Sequence, residues 1–425
     1  MPARIVLASW GSYGDLFPYL GLAIQLKALG QSPVLATCAY YRPLIEAEGV
    51  EFRPLRPDVD PAATSLIHRI MDPARGSEFI IRDLLVPAID DACRDLSDAV
   101  RGADLVISHP VTFAAPLVAA EQRLAWFSTV LAPLSFFSVS DFPVLPPFPR
   151  AMRVARLGTW TGRLAKRLAS RMTRSWTAPI RARRAARGLP DAGDPLYEGQ
   201  FSPYGTLALF SRVLGAPQPD WPARTHVTGF VNYNGPAPSM SDELKQFLDA
   251  GDPPVVFTLG NSAVNVAGNF YQESAAAAAR LGRRAVLLTG PQTENQLKQP
   301  PPPGVIAVDY APHAALFPRA SAVVHHGGIG TTGQVLRAGR PMLVVPFAHD
   351  QPDNAYRVSK LGVARVLSPS RYRAQGVAAE LDELLRRDEY ARRAATVGSE
   401  VRSERGADGA CDIMLKAVGT APVLT

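Results

Sequence analysis

The sequence predicts an α/β protein built from two doubly wound halves that face each other across a cleft. Three observations carry this. Short apolar runs alternate with segments of helical apolar spacing from Ile5 to Val130, the pattern of parallel strands covered on both faces. The same alternation restarts at Pro254. Between the two series, Gly229 to Ser241 is rich in Gly, Pro, Asn and Ser, a composition suited to a linker. The expected organisation is residues 1–228, a linker at 229–241, residues 242–405, and a C-terminal helix in 406–425 that packs back on the first half.

Ile5 to Ser9 reads as the first strand, and Leu16 to Leu29 as a helix stopped by Gly30. Pro33 to Thr37 and Glu51 to Leu55 read as strands on either side of a helix from Arg42 to Glu48. Leu105 to Ser108 and Ala125 to Val130 are further strands, with Thr112 to Gln122 helical between them. In the second half, strands are expected at Pro254 to Leu259, Arg284 to Thr289, Val305 to Val308, Ala322 to His325 and Met342 to Val345, and an alanine-rich helix at Phe270 to Leu281. Asp141 to Pro149, with four prolines and two phenylalanines, cannot be regular structure.

The length allows two to three domains. Hydrophobic residues at 47% and charged residues at 20% are typical of a globular chain, and the net charge is +7. Much of the basic excess lies between Arg150 and Arg187, mixed with Leu, Trp and Met. This reads first as an amphipathic helix with a solvated basic face, and alternatively as peripheral contact with an anionic membrane. No nucleic-acid-binding pattern is present. Cys38, Cys93 and Cys411 are widely spaced, with no metal-ligand or disulfide pattern, which fits a reducing cytoplasm. No apolar run reaches the 18 or so residues of a membrane span. Asp58-Val59-Asp60 reads as a solvated loop, so no metal site is expected.

The densest signal is His325-His326-Gly327-Gly328-Ile329-Gly330-Thr331-Thr332-Gly333, between a strand and a helix. Backbone N–H groups and the positive end of the helix dipole converge there, and the His and Thr side chains add donors, so the segment suits a phosphate. Gly328, Gly330 and Gly333 also satisfy the dinucleotide G-x-G-x-x-G, with Asp350 about 20 residues on, although that fingerprint belongs to the first βα turn of its domain.

Gly11-Ser12-Tyr13-Gly14-Asp15 follows the first strand. Asp15 there is either a general base facing the cleft or the N-cap of the helix, with Pro18 in its first turn. His109 ends the strand Leu105 to Ser108, as a second acid–base group or a hydrogen-bonded edge histidine. Asp350-Gln351 follows the strand at Met342 to Val345, a carboxylate–carboxamide pair suited to vicinal sugar hydroxyls, or again a helix cap. Tyr310 follows the strand Val305 to Val308, where its ring could stack on a base. Trp10, Phe113, Phe136, Phe137, Phe142 and Phe148 supply aromatic surface in the first half for a lipophilic alcohol or phenol, although any single one of them reads better as core.

In this order the motifs resemble the inverting, metal-independent nucleoside-diphosphate-sugar glycosyltransferases of GT-B architecture, with two Rossmann-like domains. The nearest likeness is to the bacterial branch of the UDP-glycosyltransferase superfamily, with antibiotic, rhamnolipid and sterol glycosyltransferases. The resemblance implies an acceptor-binding first half and a donor-binding second half. It implies Tyr310, Ala311 and His313 on the nucleobase, and His326, Gly328, Gly330, Thr331 and Thr332 on the diphosphate, with Gly260 and Ser262 as a second phosphate loop. Asp350 and Gln351 fall on the sugar, and Asp15, with His109, removes the acceptor proton. Gln334 stands where UDP users carry a ribose-binding glutamate, and lacks its charge, which leaves dTDP open beside UDP. The implied reaction moves a hexose or deoxyhexose, glucose or rhamnose foremost, to a lipophilic hydroxyl (a polyphenol, polyketide, sterol or hydroxy-lipid). The nucleotide-sugar is a co-substrate, no cofactor is implied, and the chain is a monomer or homodimer. A nicotinamide-dependent oxidoreductase using Gly328 to Gly333, a sugar epimerase, or an inactive accessory protein remain as alternatives.

Overall fold

The computed structural model describes residues 2–60, 63–146, 154–233, 235 and 240–418. Two parallel sheets organise it. The first contains β1 (Arg4–Ala8), β2 (Ser32–Thr37), β3 (Glu51–Pro54), β4 (Leu105–Ser108), β5 (Trp126–Val130), β6 (Thr206–Ala208) and β7 (Thr225–Val227), in the order β3-β2-β1-β4-β5-β6-β7. The second contains β8 (Val255–Thr258), β9 (Ala285–Leu288), β10 (Val305–Val308), β11 (Ala322–His325), β12 (Met342–Val344) and β13 (Ala364–Val366), in the order β10-β9-β8-β11-β12-β13.

The helices of the first half are α1 (Tyr13–Ala28), α2 (Arg42–Ala47), α3 (Thr64–Ile70), the single turn α4 (Gly76–Glu78), α5 (Ile89–Ala99), α6 (Ala114–Gln122), α7 (Thr159–Thr173) and α8 (Ala178–Ala186). Those of the second half are α9 (Asp242–Asp249), α10 (Phe270–Leu281), α11 (His313–Leu316), α12 (Ile329–Ala338), α13 (Gln351–Lys360), α14 (Ala374–Arg386), α15 (Asp388–Ser403) and α16 (Ala407–Ala417).

The central strands are buried along their whole length, as sheets with helices on both faces require. Their Val, Ile and Leu side chains fill both faces, each worth about 1.5–3 kcal/mol when fully buried. The strands β6, β7 and β13 were not expected. Each is three residues long, too short to carry an apolar period, and β7 is only half-buried.

Each sheet reverses its winding once: between β1 and β4 in the first, and between β8 and β11 in the second. Ligands of doubly wound sheets bind at such switch points, beyond the carboxyl ends of the strands. The segments after these four strands carry Asp15, in the first turn of α1, and His109, Gly260 and His326.

The segment between the sheets is packed rather than extended. Val231 is buried on α1, where a Cβ at Gly21 would stand 2.8 Å from it. The returning chain crosses the same place. Gly406 N–H donates to Thr228 O at 2.8 Å, and Glu404 accepts from Ser211 Oγ and Arg212 N–H. α16 then lies on α1, burying Ala410, Cys411 and Met414, with Gln25 Nε2 donating to Asp408 at 2.7 Å. Cys38, Cys93 and Cys411 are all buried and unpaired. Residues 234, 236–239 and 419–425 of the expected linker and tail lie outside the described residues, as does Phe148.

Candidate functional site

The loops at both switch points open into one cleft of about 1990 Å³. That exceeds the roughly 300–1,000 Å³ of a site for one drug-sized ligand and leaves room for two substrates.

On its first wall stands Asp15. Ser12 is the N-cap of α1, and its Oγ accepts from Gly14 N–H. Asp15 is not the cap. It is the third helical residue, and its Oδ2 accepts from Ser12 N–H at 2.8 Å and from Ser12 Oγ at 3.1 Å, closing a capping box. Pro18 sits inside α1, beyond the first turn. Gly11 is required here: a Cβ on it would lie 2.3 Å from Asp15 Oδ2. The other oxygen, Oδ1, lies 3.3 Å from His109 Nε2. His109 Nδ1 accepts from Val111 N–H, which leaves the ring proton on Nε2, facing Asp15. Burial works to raise the Asp15 pKa. The His109 contact and the two Ser12 hydrogen bonds outweigh it, so the carboxyl lies below its ordinary range.

On the opposite wall, His326 follows β11 and is buried between two glycines. A Cβ at Gly260 would come within 2.6 Å of its ring, and one at Gly328 within 2.3 Å. Its Nδ1 has no partner in the structure. Burial, with a contribution from His313, lowers its pKa to about 4, so the ring is neutral near pH 7. Gly328 is the N-cap of α12, whose first N–H groups lack intrahelical acceptors. Thr331, Gly330, Gln334, Ser262, Tyr310 and His313 line the same region. His313 stacks on Phe317 at 4.3 Å.

Asp350 precedes α13. Its carboxylate accepts from Asn354 Nδ2 at 2.6 Å and from Ile329 N–H. It caps no helix end of its own with its side chain. Burial foremost, aided by the charge of Asp15, pushes its pKa up to about 7. Gln351 Oε1 accepts from Phe347 N–H and Ala348 N–H at 2.7 and 3.1 Å, which leaves its amide nitrogen for the cleft.

Several expected site residues lie elsewhere. His325 points into the core, where its Nδ1 accepts from Gly327 N–H and its Nε2 meets Met342 S. Thr332 Oγ1 donates to Gly328 O inside α12. The third glycine of the fingerprint, Gly333, does line the cleft, but it lies against Phe230, whose ring a Cβ there would meet at 2.8 Å. Ala311 is fully buried in the core of the second half. Phe113 belongs to the first core, and Phe136 stacks on Trp221 at 4.0 Å, so neither lines the cleft. Trp10, Phe137 and Phe142 do line it.

Other lining residues were not singled out from sequence. Tyr13, Tyr40 and Tyr41 form an edge-to-face cluster beside Asp15. His349 is in the left-handed backbone region (φ 56°), with Nδ1 3.3 Å from Ser77 Oγ and Nε2 without a partner. The face of α7 that carries Trp160, Leu164 and Leu168 borders the cleft. Asp58 accepts from Ala39 N–H in its loop. Among the described residues, no three His, Cys, Asp or Glu side chains converge as a metal site.

Residues 275–410 match the family model described as the erythromycin biosynthesis protein CIII-like, C-terminal domain. The chain is 35% identical over 421 residues to O-mycaminosyltylonolide 6-deoxyallosyltransferase of Streptomyces fradiae, covering 96% of each chain. It is 29% identical over 390 residues to a sterol 3-beta-glucosyltransferase of Leptosphaeria maculans, covering 85% of this chain and 25% of that protein. Its fold matches that of glycosyltransferase VinC, solved in complex with dTDP, with a TM-score of 0.69 at 19% identity over 98% of this chain and 99% of that one.

Proposed function

The chain belongs to the UDP-glycosyltransferase superfamily, a GT-B glycosyltransferase with antibiotic and sterol relatives, and from that premise we propose that it transfers a hexose or deoxyhexose from a UDP- or dTDP-sugar to a hydroxyl of a lipophilic acceptor, with inversion. The observation that carries this reading is the pair of carboxylates facing one cleft. Asp15 stands at the switch point of one sheet and Asp350 on the other wall, both lining the cleft, and the Asp15 charge helps to raise the Asp350 pKa.

In this mechanism the acceptor hydroxyl approaches Asp15 Oδ1, and His109 holds the carboxylate in place. As the oxygen attacks the anomeric carbon, its proton passes to Asp15. The bond to the diphosphate breaks on the opposite face, and its electron pair leaves with the nucleoside diphosphate. The growing charge meets the N-terminus of α12, Thr331 and His326. Asp350 and the Gln351 amide hold sugar hydroxyls, and Tyr310 stacks on the base. The charge of the leaving group is thus met by protein groups, and the reaction is proposed to proceed without a metal.

The relative from Streptomyces fradiae transfers a deoxyhexose, and VinC was solved with dTDP; both support a dTDP-deoxyhexose as one donor to test. The breadth of the cleft and its Tyr, Trp and Phe walls support a large apolar acceptor. The oxidoreductase alternative loses its footing: Gly328 makes room for His326, and Gly333 makes room for Phe230.

The test is a set of thermal shifts with UDP, dTDP, GDP and NAD⁺. It is followed by transfer assays with the stabilising nucleotide's sugars, with and without EDTA, and by the anomeric configuration of the product. A ligand at 100 times its Kd stabilises by about 2.7 kcal/mol, enough to read. A shift with NAD⁺ alone would overturn the reading, and a retained anomeric configuration would overturn the inversion.

A further inference from the structure

Six of the ten large hydrophobic side chains exposed among the described residues fall within one short stretch: Val154, Leu157, Trp160, Leu164, Leu168 and Met172. Leu157, Trp160 and Met172 are 78%, 72% and 70% exposed. The last four recur every fourth residue along α7 and so form one stripe. The expected arrangement, an apolar face packed away with a solvated basic face outside, is not what the structure contains. The apolar stripe is itself in solvent, at the rim of the cleft.

The helix is nevertheless fixed to the body. Gly162 packs against Val139 O, where a Cβ would stand 2.3 Å away, and Lys166 pairs with Glu198. Beside the stripe run Arg163, Arg167 and Arg171, exposed and without an ion pair among the described residues. From Phe142 to Pro190 there are twelve Arg and Lys and no acidic residue.

We propose that α7 is an interfacial helix that docks the mouth of the cleft on an anionic lipid surface. A stripe with Trp and Leu on one side and unpaired Arg on the other fits the boundary between acyl chains and anionic headgroups. At 15 residues α7 is about 22 Å long, too short to cross a bilayer, and none of the described helices is long and apolar enough to do so. A second copy of the chain is the weaker occupant. A two-fold contact through this face would bring one Arg row against the other. Trp160, Leu164 and Leu168 also border the cleft, so an apolar acceptor could pass from the bilayer to Asp15 without crossing water. This last step rests on the lipophilic-acceptor reading, whereas the docking itself does not.

The test is cosedimentation of the full chain with phosphatidylglycerol-containing vesicles and with pure phosphatidylcholine vesicles, at low and high salt. Binding to the anionic vesicles alone is expected, weakening with salt. It should fall at least tenfold in Leu157→Ser, and tenfold again in the triple variant Arg163→Glu, Arg167→Glu, Arg171→Glu. Both variants should keep the circular dichroism and the nucleotide thermal shift of the parent. No binding to anionic vesicles, or binding that both variants retain, would overturn the proposal. A dimer mass by light scattering that Leu157→Ser abolishes, with no vesicle binding, would overturn it in favour of a second copy. Failure of the donor reading would appear separately, as loss of the nucleotide shift with vesicle binding intact.

Discussion

His109 Nε2 lies 3.3 Å from Asp15 Oδ1, and because Val111 N–H occupies Nδ1, the proton between ring and carboxylate starts on the histidine. The contact joins the first turn of α1, which follows β1, to the loop after β4, the two strands at which the first sheet reverses. The pair sits where the fold is open, and the carboxylate is oriented before any substrate arrives. Asp15→Asn keeps the shape of the side chain but cannot take the acceptor proton. A fall in kcat of about 10²–10⁴-fold is expected, with nucleotide affinity unchanged. Full turnover by the variant would remove Asp15 from the chemistry.

The depressed pKa of Asp15 also makes a statement about pH. A carboxyl held below its unfolded value contributes stability above that unfolded value, near 4, and loses it as pH falls through the folded one. The acid limb of kcat/KM should therefore not come from Asp15 in the neutral range. A limb that shifts in His109→Gln but not in Asp350→Asn would assign it to the first pair.

Asp350 behaves in the opposite sense. Its folded pKa, about 7, lies above the unfolded value. The associated stability is present in full at acid pH and is lost as pH rises through about 7. At pH 8 the empty protein carries a buried charge that burial and Asp15 both disfavour. Asp350→Asn should then raise Tm at pH 8 by roughly 2 °C or more, while transfer falls at least tenfold. A lower Tm at pH 8, measured by calorimetry without ligand, would contradict this.

Arg357 is 7% exposed and Asp353 fully buried. The guanidinium donates to Asp353 at 2.7 Å, to Asp141 at 2.5 Å and to Leu214 O at 2.9 Å, and Asp353 also accepts from Val144 N–H at 2.9 Å. This network ties the loop that carries Phe142 to α13, below Asp350 and Gln351. Removing one partner of a buried ion pair costs about 3–5 kcal/mol, so Arg357→Met should unfold at markedly lower denaturant. The pair Asp353→Asn, Arg357→Met should recover part of the loss, as a double-mutant cycle would read.

Much of this site was legible because strand ends are legible. His109 and His326 each follow a strand at once, and Asp15 lies in the first turn of the helix after β1; in a parallel sheet those positions place them at the open edge. The direction of a side chain after the strand is another matter. His325 and His326 are adjacent and equally polar, yet one enters the core and the other the cleft. Thr331 and Thr332 divide in the same way, because successive positions on a helix lie about 100° apart. Phe113 and Phe136 read as acceptor surface or as core and are core, since aromatic content carries no sign of which face is occupied. The exposed stripe of α7 could not be seen either: its spacing is that of any amphipathic helix, and only packing decides whether the apolar face is covered.

The final prediction concerns a histidine that no strand end pointed to. His349 adopts φ 56°, which non-glycine residues rarely do, and its ring borders the cleft with Nδ1 3.3 Å from Ser77 Oγ on the other wall, Nε2 buried, and Asp15 and the Ile70 backbone acting on it. Burial lowers its pKa, so the ring is neutral there. If Ser77 donates to Nδ1, the buried Nε2 carries the ring hydrogen, and we propose that a hydroxyl of the sugar or acceptor accepts it when the substrates bind. Two variants separate the backbone from the ring. Asn tolerates the left-handed region, so His349→Asn should keep Tm within about 1 °C while kcat/KM with the sugar donor falls at least tenfold. The affinity for the free nucleoside diphosphate should stay unchanged. His349→Val should lose stability as well, because a β-branched residue is strained at this φ. Equal kcat/KM for His349→Asn and the parent would mean that the ring serves the turn alone.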